Sequence, residues 1–253
     1  MTSGKANAPA RLEVGAQLAR HLCAIGRPAE HCHRKSRFLF ATALLVSTSC
    51  SHVANNMDRS PTPGWRALFD GKGTQGWEMI GPGELKLENG ELVTYGGMGM
   101  LWYSKEKLGN CEIRVVFKLS LPDDNSGVFI RIPERPQTPW DAVNKGYEIQ
   151  IDNTGDEWHR TGCLYSLTKA KAIVSPKVGE WSTMLIILDH KRTSVKIDGQ
   201  LVTDFTEGST VPEKTIWYEP DRGRRPELGY IGLQNHGGEA HIHFKEVSVR
   251  NLR

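Results

Sequence analysis

The sequence predicts an all-β protein, a jelly-roll sandwich of two antiparallel sheets. Three observations carry that expectation. Apolar and polar residues alternate with period two at intervals from residue 65 onward, as half-buried strands require. Two alternating pairs of segments are joined by Asn89-Gly90 and Asp198-Gly199, dipeptides that accept the positive φ angles of a type I′ hairpin turn. No long stretch of the same region keeps a helical period.

The strands are read in order. Leu85-Lys-Leu-Glu88 and Glu91-Leu-Val-Thr94 flank the first turn. Residues 111–119 put Ile113, Val115, Phe117 and Leu119 on one face and Glu112, Arg114 and Lys118 on the other. Further strands are expected at residues 126–132, 146–152, 162–167 and 183–188, then 195–197 and 200–202 around the second turn, and finally 229–234 and 240–250. Short strands separated by turn signals, with no repeat of about 40 residues, favour a sandwich over a propeller.

Composition narrows the function classes. The 253 residues carry a net charge of +3, but the excess is concentrated in residues 1–49, where seven lysines and arginines face two acids. The remainder is slightly acidic and has no basic stripe interleaved with aromatics, which argues against a nucleic-acid partner. Five cysteines are too few for a disulfide scaffold, and neither Cys111 nor Cys163 has the Cys-x-x-Cys spacing of a thiolate metal site.

Residues 1–49 read as an N-terminal extension plus an export signal. Arg34-Lys35-Ser36-Arg37 precedes an apolar run from Phe38 to Val46 and then Ser47-Thr48-Ser49-Cys50, the layout of a secretory signal. The run is shorter than the roughly 20 residues that span a bilayer. Cys50 after small residues resembles a lipoprotein lipidation site, with Ser47 where leucine is usual. The expectation is export to a bacterial cell envelope, with membrane contact only through a lipid on Cys50, or else plain secretion. The stretch before Arg34 has no evident role, as a start placed upstream of the true one would explain. Residues 50–64, polar and containing Pro61-Thr-Pro63, read as a tether, and residues 65–253 as the folded domain.

Candidate chemistry centres on Gly146-Tyr-Glu-Ile-Gln-Ile-Asp152. On a strand, Glu148, Gln150 and Asp152 share one face. Ser126-Gly-Val-Phe-Ile-Arg131 offers Arg131 to a similar face, and Leu233-Gln-Asn-His-Gly237 adds Gln234 and His236. Together they suggest a polar groove rather than a plain exterior. Trp102, Trp140, Trp158 and Trp217 fall in or near loops, where indole rings can stack on sugars; Trp65, Trp77 and Trp181 read as packing residues. Asp123-Asp-Asn-Ser-Gly127 reads as a turn, with cation binding as the alternative. His241 and His243 alternate as zinc ligands can, but read as a solvent face. Arg222-Gly-Arg-Arg225 reads as an exposed basic loop. Gly96-Gly-Met-Gly99 lacks the features of a phosphate loop, and no Gly-x-Ser-x-Gly elbow is present.

Taken together, Phe69-Asp-Gly-Lys, Trp77, Asn125-Ser-Gly-Val-Phe-Ile-Arg131, Gly146-Tyr-Glu-Ile-Gln-Ile-Asp152, Thr161-Gly162, Glu180-Trp181, Asp198-Gly199 and Gly232-Leu-Gln-Asn-His-Gly237 resemble, in order, the 3-keto-disaccharide hydrolase domain family over about residues 65–252. The resemblance implies a concanavalin-like jelly roll, an exported bacterial protein, and cleavage of glycosides whose sugar is already a ketone at carbon 3. Its partner would be a carbohydrate.

Laminarinase-type enzymes of similar shape carry Glu-x-Asp-x-Glu on a groove strand. Here the face is Glu148, Gln150, Asp152. A rise of roughly 3.3 Å per residue separates Glu148 from Asp152 by about 13 Å, beyond the roughly 5–5.5 or 6.5–9.5 Å of retaining and inverting glycosidases. Elimination from a keto sugar instead needs one base, an electrophile for the enolate and a proton for the leaving oxygen. The expected catalytic set is Glu148 and His236 as base and acid in either order, with Arg131, and with a divalent cation as an optional aid, stabilising the enolate. Gln150, Asp152, Gln234, Trp140 and Asn125 would bind substrate. The alternatives are a non-catalytic carbohydrate-binding module using the same groove, or an ordinary glycosidase.

Overall fold

The computed structural model describes residues 64–239 and 241–252. The export signal, Cys50 and all but the last residue of the tether lie outside the described residues.

Thirteen strands and one helix follow in chain order: β1 (Arg66–Phe69), β2 (Trp77–Ile80), β3 (Glu84–Glu88), β4 (Glu91–Tyr95), β5 (Gly99–Tyr103), β6 (Cys111–Lys118), β7 (Asn125–Ile132), α1 (Pro139–Lys145), β8 (Tyr147–Asp152), β9 (Ser182–Asp189), β10 (Arg192–Ile197), β11 (Gln200–Thr206), β12 (Tyr230–Asn235) and β13 (His243–Asn251). One sheet runs β11-β10-β9-β6-β13-β4-β3, with β1 also paired to β13; the other runs β2-β5-β12-β7-β8. All pairings within them are antiparallel. The fold is the jelly-roll sandwich expected.

Alternation builds the core between the sheets. Ile113, Val115 and Phe117 of β6 turn inward to meet Val128 and Ile130 of β7, Ile149 and Ile151 of β8, and Leu233 of β12. Both hairpin turns form where expected, with Asn89 at φ 50° and Gly90 at φ 80°, and Asp198 at φ 48° and Gly199 at φ 84°.

Three strands and the helix escape the sequence reading. β1, β2 and β5 are only four or five residues long, and β5 is buried along its whole length, so it shows no alternation. α1 spans seven residues, two turns, too few for a period to register. Its start is nevertheless marked: Pro139 sits in the first turn, and the Asp141 carboxylate accepts the backbone N–H groups of Gln137 and Thr138 at 3.0 and 3.1 Å. α1 lies on the outer face of the five-stranded sheet, where Ala142 and Val143 join Met100, Trp102, Phe129 and Ile132 in a second apolar cluster.

Residues 162–167 are not a strand. The segment follows the free edge of β8, with Gly162 N–H donating to the Gln150 carbonyl at 2.8 Å and Tyr165 N–H to that of Glu148 at 2.9 Å. Positive φ at Gly162 (92°) and Ser166 (56°) breaks the ladder down to the single bridge Ile149–Leu164.

Candidate functional site

A pocket of about 370 Å³ opens on the outer face of the five-stranded sheet. Its floor is polar: Asn125 from β7, Glu148 and Gln150 from β8, and Gln234 from β12, with His236 just beyond. Its walls are Trp140 and Val143 of α1, Met98, Tyr165, and the loop residues Trp217 and Tyr218. The register explains the floor, since Asn125 pairs with Asp152, Gly127 with Gln150 and Phe129 with Glu148. These side chains therefore share the outer face.

Glu148 is only 7% exposed. Burial pushes its carboxyl up to about 8, opposed by a side-chain hydrogen bond from Gln234. No cation contributes to that balance, so the group is a solitary buried carboxyl. Gly127 makes the space for it, because a Cβ there would fall 2.6 Å from Glu148 Oε1. His236 stands exposed at the rim. Desolvation of its ring lowers its pKa, with Asp152 opposing, which favours the neutral imidazole.

The amides are oriented by a chain of hydrogen bonds. Asp152 is acceptor-only when ionised. Its Oδ1 accepts the Thr154 N–H, the Thr154 hydroxyl and the Gly155 N–H at 2.6, 2.8 and 3.1 Å, and its Oδ2 accepts Asn125 Nδ2 at 3.3 Å. Asn125 must then turn its oxygen outward, where it accepts Gln150 Nε2 at 3.2 Å. The Gln150 oxygen is left facing the pocket floor. Gln150 Oε1 and Gln234 Oε1 are both buried with no protein partner, two acceptors directed by their neighbours' chemistry. Asp152 is accordingly corrected from a sugar ligand to a turn cap that orients Asn125.

Arg131 is a second correction. Strict alternation after Asn125, Gly127 and Phe129 would aim it into the groove. Instead β7 holds one extra residue against β12, between the pairs Tyr230–Ile132 and Gly232–Phe129, and Arg131 takes φ 53°, the geometry of a bulge. Its side chain turns between the sheets, 0% exposed. The guanidinium donates to Thr193 Oγ1 and to the carbonyls of Pro226, His190 and Arg192 at 3.2, 2.9, 2.7 and 3.3 Å. It ties the two sheets together and does not line the pocket.

Of the four tryptophans read as sugar-stacking, Trp140 and Trp217 line the pocket with ring centroids 5.0 Å apart. Trp102 is buried within β5, and Trp158 lies under Lys169. Of those read as packing residues, Trp77 is in the core, whereas Trp65 lies against Arg114 and Arg250, and Trp181 against Lys118 and Lys245.

Trp217 is 71% exposed, on a loop clamped from within. Arg225 donates to the carbonyls of Gly146, Asn144 and Asp221 at 2.9, 2.8 and 2.7 Å, and Arg222 to those of Pro212 and Pro220 at 2.6 Å each. The expected exposed basic loop is therefore a brace, with Arg225 buried and Arg224 outside. Sequence reasoning missed Tyr165, Tyr218, Met98 and Val143: the last three reach the pocket from a helix and loops that no period announces, and Tyr165 from a segment whose alternation reads as a strand.

Among the described residues no three His, Cys, Asp or Glu side chains gather as a metal site would require. Asp124 instead accepts the backbone N–H groups of Ser120, Leu121 and His241. His241 Nδ1 lies 2.9 Å from the Thr94 carbonyl, and His243 contacts Glu91 and Ser120 at 2.8 and 3.0 Å. Cys111 and Cys163 are both free buried thiols, each pushed up to about 11 by burial.

The site is thus a polar-floored, aromatic-walled pocket on the outer face of one sheet of a jelly roll. Residues 64–253 match the family described as the 3-keto-alpha-glucoside-1,2-lyase-like domain, and the chain belongs to that family. Solved structures share the fold. A candidate glycosyl hydrolase from Parabacteroides distasonis is similar with TM-score 0.63 at 24% identity, over 74% of this chain and 99% of that one. A second from the same organism gives 0.62 at 22%, over 75% and 94%. The exoplasmic/lumenal domain of VIP36, in a Ca2+/Man3GlcNAc-bound form, gives 0.50 at 14%, over 74% and 88%. No curated protein matches the chain.

Proposed function

We propose that the domain cleaves glycosides whose sugar is already a ketone at carbon 3, by elimination followed by rehydration. The observation that carries this reading is the solitary buried Glu148, held at about 8 by desolvation. A carboxyl with a pKa near neutrality is a far better base than an ordinary one and is still ionised in useful amounts. The ketone acidifies the hydrogen on carbon 2. Glu148 takes that proton, the enolate forms, and the group on carbon 1 leaves with the C1–O bonding pair. Water then adds across the enone.

His236, with its lowered pKa, is the weaker base of the two. Its neutral N–H suits it to receive the developing enolate charge, a role Arg131 cannot fill from inside the core. Gln150 Oε1 and Gln234 Oε1 would accept hydrogen bonds from sugar hydroxyls. Two-carboxylate hydrolysis is disfavoured because both Asp152 oxygens are already engaged.

The exposed Trp217 beside Trp140 favours stacking on a sugar ring, and this would equally serve a binding module without turnover. Matched plain and 3-keto glucosides, with and without chelator, separate the two. Release of the leaving group from the keto sugar alone is the expected result. Binding with no release from either would move the domain to the binding class. The basic-apolar-Cys50 layout supports export with lipidation at Cys50 as the setting for this activity.

A further inference from the structure

Elimination needs a proton for the departing oxygen as well as a base for carbon 2, and Glu148 cannot supply both at once. Tyr165 stands beside it. The two line the same pocket, and the Tyr165 N–H donates to the Glu148 carbonyl at 2.9 Å, so the edge segment sets one residue against the other.

Behind Tyr165 lies a hydrogen-bonded chain. The His159 ring packs on the tyrosine with centroids 4.8 Å apart. His159 Nε2 is 2.8 Å from Ser166 Oγ, and its Nδ1 is 2.7 Å from Asp156 Oδ1. Ser166 is held at φ 56°, a conformation rare for a residue with a side chain. Asp156 is exposed at the far end.

Asp156, His159 and Ser166 have the contact distances of an orienting acid, a base and a nucleophile. Ser166 is only 4% exposed, however, and adjoins Tyr165 rather than the pocket. Its hydroxyl anchors the His159 ring and is not placed to attack a substrate.

The geometry points to Tyr165 as the acid that protonates the leaving oxygen, held in place by the His159 ring packed on it, which Ser166 and Asp156 fix from either side. As the C1–O bond breaks, the Tyr165 O–H proton moves to the departing oxygen. The tyrosinate then takes a proton back from water that enters the open pocket as the product leaves. Glu148 returns the carbon-2 proton to solvent, and the count closes. Burial raises the Tyr165 hydroxyl to about 12, so it is protonated at neutral pH and ready to donate.

This inference rests on the elimination reading, and leaving-group dependence separates the two. Methyl and 4-nitrophenyl 3-keto-glucosides differ in whether departure needs an acid, because nitrophenolate is stable without its proton. Tyr165→Phe should lower kcat/KM about a hundredfold or more on the methyl glucoside, with a loss at least tenfold smaller on the nitrophenyl one. Ser166→Gly, which removes the hydroxyl and accepts the positive φ, should show the same asymmetry at smaller size. Equal losses on both substrates, or no loss on the methyl glucoside, would overturn the assignment. Failure of the wild-type protein to release either alcohol would instead overturn the elimination reading, and the tyrosine role with it.

Discussion

Glu148 occupies the space a side chain at position 127 would need. A Cβ on Gly127 would lie 2.6 Å from Glu148 Oε1 and 2.8 Å from its Cγ. Because β7 and β8 are paired through Phe129–Glu148 and Gly127–Gln150, neither backbone can yield without disturbing the ladder. Gly127→Ala is expected to displace the carboxyl and lower kcat on a keto-glycoside about a hundredfold, within the range for loss of a general base. Overpacking would cost about 1–3 kcal/mol of stability. Turnover and denaturant titration on one preparation check both, and unchanged kcat would remove the carboxyl's position from the mechanism.

The raised pKa of Glu148 makes opposite demands on stability and activity. Below the ordinary glutamate value both folded and unfolded chains hold the proton, and burial costs little. As pH rises toward about 8, the unfolded chain loses the proton first, so native stability falls across that window and then levels off. Glu148→Gln should abolish this slope and be the more stable protein at pH 9, by on the order of a few kcal/mol. Activity should run the other way, with kcat/KM rising with pH to a plateau above about 8. Chemical denaturation at pH 5 and pH 9, beside a pH–rate profile, tests both limbs.

These two predictions use residues legible in the sequence, and their success there has a physical reason. Period-two patterning fixes which side chains share a face, so Glu148, Gln150 and Gln234 were assigned to one surface correctly. Arg131 was lost at one inserted residue, since a bulge reverses every later side chain of a strand and leaves no mark in composition. Asp152 shares the face as expected, but the Thr154 and Gly155 amides of the turn that follows claim its Oδ1, and Asn125 its Oδ2. The α1 wall arrives from a helix too short to show a period, and Tyr165 from a segment whose alternation reads as a strand; only the pairing of residues 161–165 with β8 brings the tyrosine to the pocket.

Arg131 gives a prediction that separates fold from chemistry. Removing a fully buried guanidinium leaves Thr193 and three backbone carbonyls without their donor. Arg131→Met should therefore cost about 3–5 kcal/mol. The molecules that remain folded at low temperature should turn over at a rate within about threefold of wild type. A loss of turnover with no loss of stability would return Arg131 to the catalytic set.

Asp152 offers the subtler test, because it acts on the substrate through Asn125 and Gln150. An ionised carboxylate can only accept, and this dictates which way each amide turns. Asp152→Asn supplies a donor as well as an acceptor, so Asn125 and then Gln150 lose their enforced orientation, and the Gln150 oxygen is no longer the only face offered to a hydroxyl. KM should rise about tenfold with kcat changed less than threefold, the pattern of lost ground-state positioning. Part of the Thr154–Gly155 turn should loosen as well, at a cost of about 1 kcal/mol. Were kcat to collapse while KM held, Asp152 would be acting on the transition state itself, and the carboxylate would have to be reconsidered as a partner of His236, whose pKa it already helps to set.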